Sequence, residues 1–489
     1  MKGHKTMLRT RFAPSPTGYM HIGNLRTALY GYLLARRHEG AFVLRIEDTD
    51  QARLVEGAVK VIFDTLRTAG ISHDEGPDVG GEYGPYVQSE RKEIYLSHAN
   101  ELISQGKAYR CFCGKERLDT LVDKRGIAKY DKHCLGIKPE ESKRKADAGE
   151  PYVIRQLIPD GETSFQDIVY GEIKVSHSDL DDMILIKSDG MPTYNFANVV
   201  DDHLMGITHV VRGNEYLSST PKYNLLYEAF GWELPTYIHL PLINNESGEK
   251  LSKRHGDASF EDLLKEGYLP EAVVNYIALL GWSPKSDREI YSLEELCQVF
   301  DLDGLNKSPS IFDKVKLAWM NGEYFKKMDP GKFYELAEET LKNSVKAPQV
   351  DLKKVAAMVQ TRINFLHEIP PIVDFIDNIP EFPPDLVVHK KMKTDIPISL
   401  ENLKNAYASL ETLKDYSDAA VHLRLFSLIA ELGVKNSQVL WPVRTALSGK
   451  PTSPCGGTEL CALLGKDETL KRIQKSIEML EKHVQSLAR

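Results

Sequence analysis

Thr10-Arg11-Phe12-Ala13-Pro14-Ser15-Pro16-Thr17-Gly18, followed closely by His21-Ile22-Gly23-Asn24, is the stretch on which the reading of this chain turns. Thr10 to Ala13 has the character of a short strand, which Pro14, Pro16 and Gly18 break into a turn. A helix is expected over 24–38, with Leu25, Ala28, Leu29, Tyr32 and Leu33 at helical spacing. Gly40 ends it, and Phe42-Val43-Leu44-Arg45-Ile46 is a second strand of the buried kind. Val55, Val59, Ile62, Phe63 and Leu66 outline another amphipathic helix, closed by Gly70. Strand, helix, strand, helix in so short a span predicts an α/β fold with a parallel, doubly wound sheet.

Outward from this stretch the pattern changes twice. Between 115 and 189 it turns polar, with short β-like runs at 152–157 and 172–175, which reads as an insertion between halves of the sheet. Val210-Val211-Arg212 and a helix over 221–230 resume the α/β pattern. Helices are expected over 262–266, 271–280 and 293–300, and from 331 onward the patterning is helical throughout. Leu470, Ile473, Ile477, Leu480, Val484 and Leu487 form an apolar stripe in the final helix, whose Lys-rich remainder is a solvated face.

A chain of 489 residues exceeds one ordinary core and predicts two to four domains. Its composition, 42% apolar and 27% charged, is that of a globular protein in water. No run of about 18 apolar residues occurs, which excludes a conventional membrane span. The charged first residues have no signal-peptide character, so the cytoplasm is expected. A net charge of −8 argues weakly against a nucleic-acid partner, but residues 331–489 carry 21 Lys+Arg against 20 Asp+Glu, so the acidity lies in the first two thirds. Six cysteines at these spacings do not form a secreted disulfide framework.

A strand, a Pro/Gly turn and a helix N-terminus make an anion site, because free N–H groups and the helix dipole both favour phosphate. Gly23 would admit a nucleotide close to the backbone, and His21 could donate to phosphate oxygens as charge develops. Lys250-Leu251-Ser252-Lys253-Arg254, after Gly248, puts three cations in five residues. Lys250 and Lys253 could neutralise a triphosphate from a mobile lid. Singly, the histidine is more often a helix cap and the lysine run a solvated loop; together they point to nucleotide chemistry.

These two segments resemble the paired signatures of class I aminoacyl-tRNA synthetases. Arg45-Ile46-Glu47-Asp48-Thr49-Asp50 and Tyr194-Asn195-Phe196-Ala197-Asn198-Val199-Val200-Asp201-Asp202-His203 resemble the glutamyl/glutaminyl subgroup, and the likeness extends over essentially the whole chain. It implies a Rossmann-type catalytic domain over 1–85 and 190–255 and an inserted acceptor-stem-binding domain over 86–189. A stem-contact helical domain over 256–330 and an α-helical anticodon-binding region over 331–489 complete it. The helical tail favours the bacterial glutamyl branch over the glutaminyl enzymes, which use β-barrels there. A small-molecule nucleotidyltransferase would leave the tail without a role, and a catalytically dead RNA-binding derivative would not need Lys250, Lys253, His21 and Arg212.

The resemblance implies glutamate, ATP, Mg²⁺ and tRNA(Glu) as the reacting set, handled by a monomer. It implies His21, Gly23, Asn24, Glu215, Ile243, Lys250 and Lys253 at ATP, with His21, Lys250 and Lys253 catalytic. Ala13, Ser15, Glu47, Tyr194 and Asn198 join Arg11 and Arg212 at glutamate. Two carboxylates ask for two cationic forks; Arg11 is assigned to the side-chain carboxylate and Arg212 to the α-carboxylate, with the reverse order open. Arg362, Arg444, Ser453 and Pro454 match positions that contact anticodon bases. Cys111, Cys113 and Cys134 resemble a zinc site of some bacterial members. The fourth ligand position falls on Gly136, with His133 or Tyr130 as substitutes, so a metal-free loop is expected over bound zinc.

Overall fold

The computed structural model describes residues 7–18, 20–121, 129–251 and 259–487. The chain divides into two compact units, Met1–Leu317 and Ala318–Arg489.

In the first unit, β1 (Arg9–Phe12) leads to α1 (Ile22–Arg37) and returns as β2 (Ala41–Leu44), which pairs with β1 in parallel. α1 runs between these strands because Leu25, Ala28, Leu29 and Leu33 repeat on one face and are fully buried. Truncating one such leucine to alanine should cost about 2–5 kcal/mol. Gly40 is demanded by space, since a Cβ there would sit 2.1 Å from the Leu8 carbonyl oxygen. α2 (Ala58–Thr68) begins three residues later than the sequence suggests; Val55 lies before it and is exposed.

After α3 (Lys92–Ser104), the chain builds β3 (Ala108–Cys111), α4 (Lys115–Leu118), α5 (Pro139–Asp147) and β4 (Val153–Gln156). β5 (Glu162–Asp167) and β6 (Gly171–Ser176) form an antiparallel hairpin. β7 (Ile184–Ile186) closes a three-stranded antiparallel sheet, β3-β4-β7. α6 (Tyr194–Leu204), β8 (His209–Gly213), α7 (Thr220–Phe230) and β9 (Thr236–Leu240) then restore the parallel pattern. β8 pairs with β9 in parallel, Arg212 opposite His239, and β5 meets β9 at Asp167 opposite Tyr237. The Thr208 N–H donates to the Arg9 carbonyl at 3.0 Å, joining β8 to β1. Residues of α3, α6, α7 and β7 enclose a core that includes Tyr95, Leu102, Phe196, Val200 and Leu226.

Short β10 (Ile243–Asn244) pairs with β11 (Ser310–Ile311) in parallel. Between them lie α8 (Phe260–Lys265), α9 (Pro270–Ala278) and α10 (Leu293–Val299), close to the expected spans. Ser259 and Ser292 start α8 and α10 with capping boxes.

α11 (Lys314–Lys327) crosses from the first unit into the second, which carries α12 (Pro330–Ser344), α13 (Leu352–Val359), α14 (Ile369–Val373), α15 (Ile396–Glu411), α16 (Asp418–Leu432), α17 (Asn436–Ser448), α18 (Gly457–Leu464) and α19 (Lys466–Leu487). No β-strand occurs in this unit among the described residues, as its patterning foretold. Of the stripe on α19, Ile473, Ile477 and Leu480 are buried; Val484 and Leu487 extend past the packed body and are exposed. Arg472 of α19 is buried and donates to the carbonyls of Phe375, Ile376 and Leu447 at 2.7–2.8 Å. Its Nε pairs with Glu468 at 2.8 Å.

Candidate active site

A cavity of about 710 Å³ opens at the C-terminal ends of β1 and β8 and the N-terminus of α1. Parallel α/β sheets bind ligands in this position, because strand ends and helix N-termini leave backbone groups unpaired there. Twelve of the residues singled out from the sequence line it: Arg11, Ala13, Ser15, His21, Gly23, Asn24, Glu47, Tyr194, Arg212, Glu215, Ile243 and Lys250. Lys253 lies outside the described residues.

His21 caps α1, its Nδ1 accepting from the Gly23 N–H at 3.1 Å. Accepting at Nδ1 places the proton of a neutral ring on Nε2. Gly23 is needed for space: a Cβ would lie 3.3 Å from that Nδ1. Lys250 reaches the cavity through a hairpin, in which Asn244 bridges Lys250 and the Gly248 N–H closes the turn onto the Asn245 carbonyl at 3.0 Å. Gly248, at φ +80°, supplies the left-handed residue this turn requires.

Arg11 is not an open fork. Its Nε donates to Asp202 Oδ1 at 3.1 Å, its Nη2 to Asp202 Oδ2 at 3.3 Å, and its Nη1 to the Val211 carbonyl at 3.1 Å. Fully buried Arg45 stands behind, paired with Asp202 at 2.9 Å and with Glu47 Oε1 at 2.9 Å. Burial opposes ionisation of Asp202, yet Arg11 and Arg45 together hold its carboxyl below the usual range. Glu47 stands differently. Burial pushes its carboxyl up to about 7 against the pull of Arg45 and Arg11. Its Oε2 is buried and makes no hydrogen bond among the described residues.

Arg212 is buried without a carboxylate partner among the described residues. Its Nε donates to His239 Nε2 at 3.0 Å and its Nη2 to Thr220 Oγ1 at 2.8 Å. The guanidinium carbon lies 4.9–5.4 Å from the ring centres of Tyr216, Tyr223 and Tyr237, within cation–π range. Tyr194 and Tyr216 pack at 5.5 Å beside it. Asn198 does not line the cavity; it is buried on α6, where its amide donates to the Tyr194 carbonyl at 2.9 Å, one turn back. Arg26 also lines the cavity, with Nη1 donating to the Leu280 carbonyl at 3.0 Å and Nη2 to the Pro241 carbonyl. Nothing in its sequence context distinguishes it from a solvent-facing helix arginine.

At the end of β3 and in the loop before α5, the sulfur atoms of Cys111, Cys113 and Cys134 lie within 4.8 Å of one another. The Tyr130 hydroxyl joins them, 3.2 Å from Cys111 Sγ and 3.6 Å from Cys113 Sγ. His133, the other candidate, is not part of the cluster. Four donors this close fit a tetrahedral zinc ion, whose Zn–S bonds of about 2.3 Å set sulfurs roughly 3.8 Å apart.

In the second unit, Arg444 is buried on α17, donating to Ser453 Oγ at 3.2 Å and to the Pro451 carbonyl at 3.0 Å. It lies 4.3 Å over the Trp441 ring, and burial holds its guanidinium below the usual range. Pro454 is buried in the same loop, and Arg362 is exposed just past α13.

Residues 7–319 match the catalytic domain of the class I tRNA synthetases (E and Q), and residues 332–477 match an anticodon binding domain. A glutamate–tRNA ligase of Clostridium acetobutylicum is 56% identical over 480 residues, covering 97% of this chain and 99% of that protein. One from Clostridium novyi is 57% identical over 98% of this chain and 99% of its own length. A crystal structure of a glutamate–tRNA ligase from Elizabethkingia meningosepticum in complex with its amino acid superposes with a TM-score of 0.83 at 35% identity, covering 97% of this chain and 99% of that one.

Proposed function

The chain belongs to the glutamate–tRNA ligases, class I enzymes that activate glutamate with ATP and transfer it to tRNA, and on that premise we propose how its cavity divides the work. The observation that carries the reading is Arg212, a buried guanidinium held, among the described residues, by neutral acceptors and tyrosine rings. A cation so placed retains its full charge for an anion. Glutamate's side-chain carboxylate keeps its charge through both steps, whereas the α-carboxylate becomes the attacking group and ends neutral in the adenylate. Arg212 therefore takes the side-chain carboxylate, and Arg11, already neutralised by Asp202, steers the α-carboxylate without quenching its nucleophilicity. This is the reverse of the order first assigned from the resemblance. Glu47 Oε2 receives the α-ammonium, and Ala13, Ser15 and Tyr194 border the amino acid; Asn198 supports Tyr194.

The α-carboxylate attacks the α-phosphorus of ATP and pyrophosphate leaves. The tRNA 3′-terminal hydroxyl then displaces AMP from the mixed anhydride. No protein nucleophile takes part, so the residues act by position and charge. His21, Gly23, Asn24 and Lys250 border the phosphates, with Lys253 assigned by its motif; Glu215 and Ile243 border the adenosine. Mg²⁺ enters as part of the nucleotide substrate. The reading also carries the four-part domain division, a monomeric state and a cytoplasmic location, where tRNA and ATP are found. Arg362, Arg444, Ser453 and Pro454 are its anticodon contacts. Tyr130 supplies the fourth donor that Gly136 lacks, so in place of the metal-free loop expected from the sequence the Cys111–Cys113–Tyr130–Cys134 cluster would hold zinc as a cross-link in the inserted segment.

Glutamine presents amide N–H groups to Arg212, which has only donors, and a mismatch of that kind can reach about 10⁴-fold. Aminoacylation with each amino acid tests this. Comparable kcat/KM for glutamine and glutamate would overturn the assignment of Arg212.

A further inference from the structure

We infer that His239 and Asp167 are positioning residues that aim Arg212 at glutamate while leaving its charge uncompensated. This rests on the reading of Arg212 as a glutamate-carboxylate fork. Neither residue lines the cavity, and both are completely buried. β8 and β9 pair with Arg212 opposite His239, so their side chains share one face of the sheet. One strand further, Asp167 ends β5 against β9.

The hydrogen bonds admit one arrangement of protons. Asp167 Oδ2 lies 2.6 Å from His239 Nδ1, and a carboxylate only accepts, so Nδ1 carries the hydrogen. Nε2 is then an acceptor and receives Arg212 Nε–H at 3.0 Å. The Thr220 hydroxyl gives its proton to the Tyr216 carbonyl at 2.8 Å and so accepts from Arg212 Nη2. Asp167 is itself fixed, its Oδ1 accepting from the N–H groups of Val169 and Tyr170, both at 2.9 Å. Burial holds the imidazole below its usual range, outweighing the pull of Asp167, so the neutral ring persists.

The arrangement solves a particular problem. Any buried arginine needs partners to fix its plane, and a carboxylate is the commonest one. A carboxylate would also cancel the charge that must bind an anionic side chain, as Asp202 does for Arg11. Imidazole and hydroxyl acceptors fix the plane and leave the charge. The Asp167 carboxylate sits one residue further back, where its role is to choose the tautomer.

Four substitutions and one spectrum test this. His239→Ala should raise the glutamate KM in aminoacylation by ~10²-fold, as misalignment of a fork does, with the ATP KM little changed. Asp167→Asn should do the same without removing the imidazole. Its carbonyl oxygen stays with Val169 and Tyr170, its NH₂ turns toward His239 Nδ1, and the flipped tautomer sets Nε2–H against Arg212 Nε–H. His239→Gln, which returns an acceptor near the Nε2 position, should recover part of the loss. In ¹⁵N spectra of histidine-labelled protein, His239 should appear neutral with hydrogen on Nδ1. An Nε2–H or doubly protonated signal overturns the proposal, as does a His239→Ala enzyme that melts lower but keeps its glutamate KM. Arg212→Ala separates the two levels. If it leaves the glutamate KM unchanged, the reading of Arg212 fails; if it raises KM while the His239 and Asp167 variants do not, only the present inference fails.

Discussion

Arg11 and Asp202, 191 positions apart in sequence, meet in a buried two-point ion pair, with Nε to Oδ1 at 3.1 Å and Nη2 to Oδ2 at 3.3 Å. Asp202 also touches Arg45, which is further paired with Glu47 and Asp201, so this carboxylate joins two guanidinium groups in one network beneath the amino-acid pocket. Removing one partner of a buried pair leaves the other charge without compensation. Asp202→Asn should therefore lower stability by about 3–5 kcal/mol, read by urea unfolding at neutral pH. Any folded enzyme that remains should show a raised glutamate KM, since Arg11 loses the contact that fixes its plane.

The carboxyl of Glu47 gives the site a pH dependence with a definite sign. Burial raises it from an ordinary 4.5 to about 7, so below that pH the free pocket holds a neutral acid that cannot balance the substrate ammonium. The glutamate KM should fall as pH rises through about 7, by up to roughly tenfold per unit on the acid side. Glu47→Gln should weaken glutamate binding and flatten this dependence. The stability linkage runs the opposite way, because the folded state holds its proton more tightly than the unfolded chain. The group's contribution is thus lost as pH climbs from 4.5 toward about 7, at about 1.4 kcal/mol per unit.

His21 both caps α1 and borders the phosphates, and two substitutions separate these duties. His21→Asn keeps an N-cap acceptor, so its melting temperature should stay near that of the wild type. His21→Ala should lose about 1 kcal/mol of stability as well. Both should lower kcat by ~10²–10³-fold, the usual effect of removing one preorganised donor, with little change in glutamate KM.

Elemental analysis of protein purified without chelator should find one zinc per chain. Cys113→Ser should release it and lower the melting temperature, because metal binding by such a cluster contributes to folding. Tyr130→Phe should weaken retention under EDTA, whereas His133→Ala should not.

Arg444 is braced by Ser453 and the Pro451 carbonyl over Trp441, leaving its guanidinium few water contacts. Arg444→Ala should raise the tRNA KM by about tenfold, the effect of losing one or two kcal/mol of base contact, with glutamate KM unchanged.

Much of the framework was legible in the sequence. α1, α7, α9 and the helices after 331 declare themselves by apolar residues at helical spacing, and the turn before His21 by its prolines and glycine. The misses share a cause. β9 is Thr-Tyr-Ile-His-Leu between Pro235 and Pro241, buried on both faces, so it shows no alternation, and His239 within it looks incidental. Asp202 stood inside a recognised motif, yet its role depends on a partner on β1, which no local pattern announces. Tyr130 was legible beside His133 as a fourth donor, but only the folding of β3 against the loop before Cys134 decides between the two. Asn198 went the other way: it shares a face of α6 with the cavity-lining Tyr194, but one turn on it is buried and its amide is taken up by the Tyr194 carbonyl.

Arg472 draws three carbonyls of the second unit onto α19, and those carbonyls belong to residues up to 97 positions earlier. During synthesis, Phe375, Ile376 and Leu447 leave the ribosome well before the guanidinium that ties them together. The first unit can thus complete its sheet while translation continues, but the second stays open until its last helix emerges. Premature termination within α19 should accordingly yield a protein with an intact nucleotide pocket and an unravelled RNA-reading half, a ready substrate for cellular proteases.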